Sequence, residues 1–279
     1  VVLSNADDKV ISTSGADDRF EVVPQVFVDE TDTALSNQDA GRDVIVDLAS
    51  RDAGASDGGG STTGGTIDPN ALGDVVYLEG VSGIDAVNFE RFQVGREGEN
   101  SLKISTTVEG VDENGAVVAS NASEVSIFKQ FDAMTDRFAI ETLEISDTQG
   151  NSEYWSLSTT QAVRDGGRVT DTLIQTDVSQ TGKGILVGSD TVEDTYKVVN
   201  DGSLGADAVV KVVGFDSDDN FDLSGLGVDS YQVDEAGNVQ VGVASEEDDE
   251  LDVRLTLTGL GDTNTLNLDE ILFNNQNVS

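Results

Sequence analysis

Asp216, Asp218, Asn220 and Asp222 stand at alternate positions of one short stretch, DSDDNFD, directly after an apolar run. Oxygen donors gathered at a strand end are the ligand chemistry of a hard cation, above all calcium (Ca2+). Two other stretches have the same character: Asp17 and Asp18 in SGADD (Ser14–Asp18), and Asp190 and Asp194 in GSDTVED (Gly188–Asp194). These eight residues are the candidate calcium ligands. The DSDDNFD run is not an EF-hand loop, because Phe221 occupies the sixth position, where that loop needs glycine. Its structural alternative is a solvated turn in which Asp222 caps the segment that follows.

Other chemistry has little to stand on. Histidine and cysteine are both absent, which removes the Ser-His-Asp arrangement and the ordinary zinc ligands. Carboxylate pairs cleave glycosides, but among 54 acidic residues a suitably spaced pair carries almost no information. Gly95-Arg-Glu-Gly lacks the lysine and the strand-to-helix setting of a phosphate loop. The chain is therefore expected not to be an enzyme.

The elements that would hold these aspartates are strands. Thr195–Val199 and Ala208–Phe215 alternate apolar and polar residues, and each is entered through a turn rich in glycine and aspartate. The same order appears near the start of the chain. SGADDRFEVV (Ser14–Val23) matches GSDTVEDTYKVV (Gly188–Val199), and GRDVIVDLA (Gly41–Ala49) takes the place of GADAVVKVVGF (Gly205–Phe215). Two copies read as a duplication and not a solenoid, since stacked repeats need about three units to bury a continuous core.

The rest of the chain has the same texture. Strands are expected around Lys9–Ser12, Arg19–Val23, Gln25–Val28 and Asp43–Leu48, with Pro24 at an edge or bend. Glycine and serine dominate Ser50–Asn70, a linker or long excursion. From Leu72 to Leu157 further strands follow, at Val75–Leu78, Val87–Val94, Ser101–Val108, Ala116–Ala119, Glu124–Phe131, Phe138–Ser146 and Tyr154–Leu157. Turns such as Asp147-Thr-Gln-Gly-Asn connect them. Most aromatics lie in this block, including Trp155, which reads as a core anchor in preference to a sugar-stacking platform. Ala162–Gly184 is polar, with one strand at Thr170–Thr176; beyond Gly225 the chain ends in three strands and a polar tail, with a hairpin around Glu235-Ala-Gly-Asn.

The expected fold class is all-β: antiparallel β-sandwich or β-roll-like domains with few or no helices. Four parts are expected: an N-terminal β element over 1–49, a linker or long loop over 50–71, a central β domain over 72–178 and a C-terminal β domain over 179–279.

Charge limits the partners. The formal net charge is −39, from 54 acidic and 15 basic residues, so nucleic acid and anionic lipid would be repelled. A compact state under such self-repulsion calls for cations, supplied by brine or by millimolar calcium outside a cell. No stretch approaches the roughly 20 apolar residues of a membrane span, so no membrane insertion is expected. Without cysteine no disulfide can brace the fold, a role that bound metal can take over. The first residue is Val1 and no basic-then-apolar leader is visible; a removed leader, a larger parent chain or an export signal elsewhere would each account for that.

Two stretches resemble known families. Ala122–Leu157 carries an apolar run ending in Phe131, then Ile140, Glu141, Leu143 and Ile145, an aspartate-glycine turn at Asp147 and Gly150, and Trp155. It resembles the haemolysin-type calcium-binding-related domain that accompanies RTX repeats in bacterial secreted proteins, with a longer turn than usual. DNFDLSGL (Asp219–Leu226), a hairpin, an acidic stretch, VRLTLTGL (Val253–Leu260) and LDEILF (Leu268–Phe273) follow in an order similar to the C-terminal target region of type I secretion substrates. The resemblance implies one-step export from a Gram-negative cytosol to the cell surface or medium.

These features together predict a secreted structural protein that self-assembles as a surface layer, filament or matrix, a homo-oligomer or polymer with calcium bridging its acidic faces. The alternatives are an adhesin or carbohydrate-binding module facing a cell-surface glycan, and the calcium-dependent secretion end of a larger secreted protein or enzyme. An exchanged N-terminal strand, starting from the apolar Val1–Leu3, is one expected joint between subunits.

Overall fold

A computed structural model describes residues 2–3, 9–12, 19–22, 42–47, 73–93, 100–111, 117–131, 140–147, 149–165, 168–189, 193–200, 207–244 and 251–273. The expected strand Gln25–Val28 and the linker over 50–71 lie outside these residues. The chain forms two compact units, one of Val1–Asp52, Gly73–Asp132 and Arg137–Tyr154, the other of Ala53–Leu72, Ala133–Asp136 and Trp155–Ser279.

In the first unit the chain alternates between two sheets. β1 (Val2–Leu3), β3 (Arg19–Val22), β5 (Val75–Glu79) and β9 (Thr142–Ser146) lie side by side in one sheet, every ladder parallel. β2 (Lys9–Ser12), β4 (Arg42–Asp47), β8 (Val117–Phe128), β7 (Ser101–Val111) and β6 (Val87–Phe92) form the other, in that order. There β2, β4 and β8 run parallel, and β6, β7 and β8 form an antiparallel meander. Alternating side chains give each strand one apolar face. Register then stacks those faces: Phe20, Val76 and Leu143 are aligned neighbours, as are Val22, Leu78 and Ile145, and all six are buried.

β10 (Ser152–Leu157) begins in the first unit and ends in the second. In the second unit β11 (Thr159–Asp165), β12 (Arg168–Asp177), β14 (Thr195–Val199) and β16 (Asn220–Asp222) make one sheet. The end of β10 pairs with β13 (Lys183–Val187), followed across the sheet by β15 (Ala208–Val213), β19 (Leu251–Thr258), β18 (Val239–Ala244) and β17 (Ser230–Val233). The ladders from β12 through β14 to β16, and from β13 through β15 to β19, are parallel. Between the sheets lies a core that includes Tyr196, Phe221, Leu186, Val210, Val212 and Leu255. The short helix α1 (Leu268–Phe273) adds Leu268, Ile271 and Leu272 to it.

The all-β expectation holds. Of the two architectures it allowed, the parallel ladders and the strand-by-strand alternation between sheets belong to the roll-like one. Turn-rich connections suggested hairpins; most of them instead carry the chain to the other sheet, so the next strand in the same sheet is a full circuit away and must run parallel. The duplication has the same cause. Arg19–Val22 with Arg42–Asp47, and Thr195–Val199 with Ala208–Val213, are each two consecutive strands in opposite sheets. Each pair is one passage of a stack that further strands continue. One local expectation also changes: the polar segment after Ser158 is a hairpin of β11 and β12.

Candidate functional site

The sequence-predicted donors divide three ways. Asp17, Asp18 and Asp190 lie outside the described residues. Asp194, Asp216, Asp218 and Asn220 meet at one end of the second unit, and Asp222 lies at the close of β16.

Asp219 joins the first group together. Its Oδ1 accepts the Asp194 backbone N–H at 2.8 Å, and its Oδ2 accepts the Asp216 backbone N–H at 2.8 Å. The Tyr196 hydroxyl lies 3.4 Å from Asp219 Oδ2 and 3.4 Å from the Gly214 carbonyl, so it donates to one or the other. Asp194 in turn accepts the Ser189 backbone N–H at 2.6 Å on Oδ2, while its carbonyl accepts Asn220 N–H at 3.1 Å. Asp216 Oδ1 takes the Asp218 N–H at 2.8 Å. Backbone N–H groups thus occupy both Asp219 oxygens, which is how a carboxylate can remain in a site only 2 % exposed.

Burial pushes the Asp219 carboxyl up to about 6 against the pull of the Asp216 and Asp194 N–H groups, and the nearby Asp194 and Asp216 charges add to the rise. Gly188 completes the corner. A Cβ there would stand 1.8 Å from the Tyr196 hydroxyl and 2.8 Å from Asp194 Oδ2, so only glycine lets the chain pass.

Asp222 faces different partners. Its Oδ1 accepts from the Ser224 hydroxyl at 2.6 Å and the Ser224 N–H at 3.2 Å, and its Oδ2 lies 3.4 Å from Lys197 Nζ. Burial raises its pKa, but the Ser224 hydrogen bonds and the Lys197 charge outweigh that and hold it below the ordinary value. Asp222 thus holds the N–H and hydroxyl of Ser224, the first residue of the turn Ser224–Leu226.

Among the described residues no three acidic side chains converge where a metal ion could sit. The donor chemistry agrees, since the Asp194, Asp219 and Asp222 oxygens are engaged by N–H, hydroxyl and ammonium groups. The arrangement ties the approach to β14 to the turn before β16.

Two hubs elsewhere repeat one design. In Asp147-Thr-Gln-Gly-Asn, Asp147 Oδ1 accepts the N–H groups of Gln149 and Asn151, and Asn151 Nδ2 donates to Oδ2. In Asp234-Glu-Ala-Gly-Asn the same bonds come from Ala236, Asn238 and Asn238 Nδ2. Gly150 and Gly237 sit at φ 82° and 84°, the left-handed conformation both turns need. The Asn side chain is the largest cause holding each aspartate below its ordinary pKa, followed by the Asn backbone N–H. The shared D-x-x-G-N spelling was the signal for this.

In the first unit Glu144 is buried and accepts from Arg19, from Ser152 Oγ at 3.1 Å and from the Tyr154 hydroxyl at 3.4 Å. Arg19 also covers the Tyr77 ring at 4.3 Å. Trp155 is 4 % exposed with Lys183 over its ring at 5.2 Å, a core anchor as expected. No helix among the described residues is long and apolar enough to cross a membrane. No protein-family profile, curated protein sequence or solved structure matches the chain.

Proposed function

We propose that this chain is a secreted structural protein that assembles with copies of itself through open strand edges. The observation that carries this reading is β17. It closes its sheet, pairs with β18 on one side, and among the described residues no strand pairs with its other side. Its SYQV sequence has neither the lysine nor the proline that usually blunts an edge, and Val233 is 44 % exposed. Such an edge suits addition of a strand from another copy.

Self-repulsion at a net charge of −39 opposes that contact. Calcium enters the proposal as an ion bridging acidic faces of neighbouring copies, where exposed Asp216 and Asp218 are available, and not as the occupant of a cage at the Asp219 corner. The likeness of Ala122–Leu157 and of the last quarter of the chain to RTX-associated and type I secretion sequences supports export.

The carbohydrate-binding alternative finds less support. Sugar recognition needs open aromatic faces and free carboxylates; Arg19 covers Tyr77, Glu144 already accepts three donors, and Trp155 is buried.

Light scattering and electron microscopy at constant ionic strength, in millimolar calcium and again after chelation, test the proposal. Ordered assemblies that disperse on chelation are expected. A folded monomer unchanged by either condition would overturn it.

A further inference from the structure

The turn between β17 and β18 fixes where each backbone group of β17 points. Asp234 N–H donates to the Asn238 carbonyl at 3.0 Å, so residues 234 and 238 form a hydrogen-bonded pair. Such pairs alternate along an antiparallel ladder. Gln232 therefore turns its N–H and C=O toward Gln240, while Tyr231 and Val233 turn theirs to the open side, where no described strand meets them.

The core reaches this edge unfinished. Tyr231 and Phe273 pack against it only partly buried, with ring centroids 6.2 Å apart. Val233, on the same strand face as Tyr231, is the large apolar side chain left exposed among the described residues. Other sheet edges with every side chain described differ. β16 is packed by α1, and β6 carries Arg91 and Glu90, the latter ion-paired with Lys103. β17 carries no charge at all.

We propose that β17 pairs antiparallel with β17 of a second copy, about a twofold axis through Gln232. This rests on the self-assembly reading and names one of its joints. Tyr231 stands opposite Val233 of the second copy, and Val233 opposite Tyr231. Each pair exchanges two backbone hydrogen bonds, so the open groups of both strands are used with none left over. That self-complementarity is what makes a second copy the fitting occupant, and the contact is isologous. Val233 comes to lie beside the second copy's Tyr231, which closes the apolar margin. No charge enters the ladder itself, a condition that matters in a chain of net charge −39. At each end, however, the same register sets the exposed Asp229 of one copy against the exposed Glu235 of the other. Like charges directly opposite weaken a ladder, so the joint is favoured by screening cations.

The full-length chain contains no cysteine, so one introduced thiol reports one contact. Gln232→Cys stands on the axis in a non-hydrogen-bonded pair, whose Cα atoms lie about 4.5 Å apart and within reach of a disulfide. Ser230→Cys lies about 13 Å along the strand from its counterpart and out of reach. Under mild oxidation Gln232→Cys is expected to give a covalent dimer at least about tenfold faster than Ser230→Cys. Sedimentation velocity at low ionic strength supplies the second reading. Glu235→Lys, which faces Asp229 with opposite charge, is expected to associate at about tenfold lower concentration than wild type, a gain that misfolding cannot produce. If the wild type assembles while the two thiols cross-link equally and Glu235→Lys matches wild type, β17 is not the joint and the self-assembly reading survives. A wild type that stays monomeric at every concentration ends both.

Discussion

The Asp219 carboxylate accepts a 2.8 Å hydrogen bond from the backbone N–H of Asp194, 25 residues earlier in the chain. With the matching bond from Asp216 N–H it fixes the turn before β16 against the approach to β14. A buried acceptor serving two backbone donors costs more to remove than it contributes when made.

Asp219→Asn keeps the shape but leaves one oxygen where two were needed. A loss of about 1–3 kcal/mol is expected in urea unfolding at pH 7, since one N–H is left without an acceptor.

The pH dependence of that loss carries a sign. The Asp219 pKa is raised to about 6 in the fold, so the folded state holds this proton more tightly than the unfolded chain. Its ionisation therefore erodes stability as pH rises from about 4 to about 6. Unfolding free energies measured across that window should show wild type gaining on Asp219→Asn as pH falls. A constant difference would show that Asp219 titrates as an ordinary carboxyl.

Gly188→Ala is expected to destabilise the second unit by about 1–3 kcal/mol through overpacking, because the added Cβ meets the Tyr196 hydroxyl at 1.8 Å. Tyr196→Phe in the same chain should recover part of this and not all, since Asp194 Oδ2 at 2.8 Å remains in the way. Denaturant midpoints of the single and the double variant, against wild type, measure both effects.

Asn151→Ala and Asn238→Ala each remove the side chain that most strongly lowers the pKa of Asp147 or Asp234. In each variant the corresponding aspartate should titrate closer to its ordinary value, followed by carboxyl chemical shifts, with the other turn unchanged.

Leu143→Ala opens a cavity in the first unit at a position that is 0 % exposed and aligned with Val76. A loss of about 2–5 kcal/mol is expected, read as a lower denaturant midpoint.

Which aspartates act together was harder to read. Alternate spacing at a strand end groups Asp216, Asp218, Asn220 and Asp222 and passes over Asp219. The backbone turns between Asp216 and Asp219, where Asp219 N–H meets the Asp216 carbonyl at 3.3 Å, and extends only from Asn220. A period of two holds only along a strand, so the four positions share no face and Asp219 alone points inward. The D-x-x-G-N turns were legible because all their partners lie within five residues.

Local chemistry in the sequence was enough to establish the all-β class, the strands Arg19–Val22, Thr195–Val199 and Ala208–Val213, the hairpin at Asp234–Asn238 and the buried place of Trp155. Alternation and turn residues act over a few positions, and their effects survive in any tertiary setting. Strand pairing did not follow from them. Whether Ala208–Val213 lies beside Thr195–Val199 or crosses to the other sheet, next to Lys183–Val187, depends on which apolar faces can be buried together. The tertiary structure alone decided that, and with it the parallel stack, the buried carboxylate at Asp219 and the open edge at β17, because each depends on contacts between residues distant in sequence.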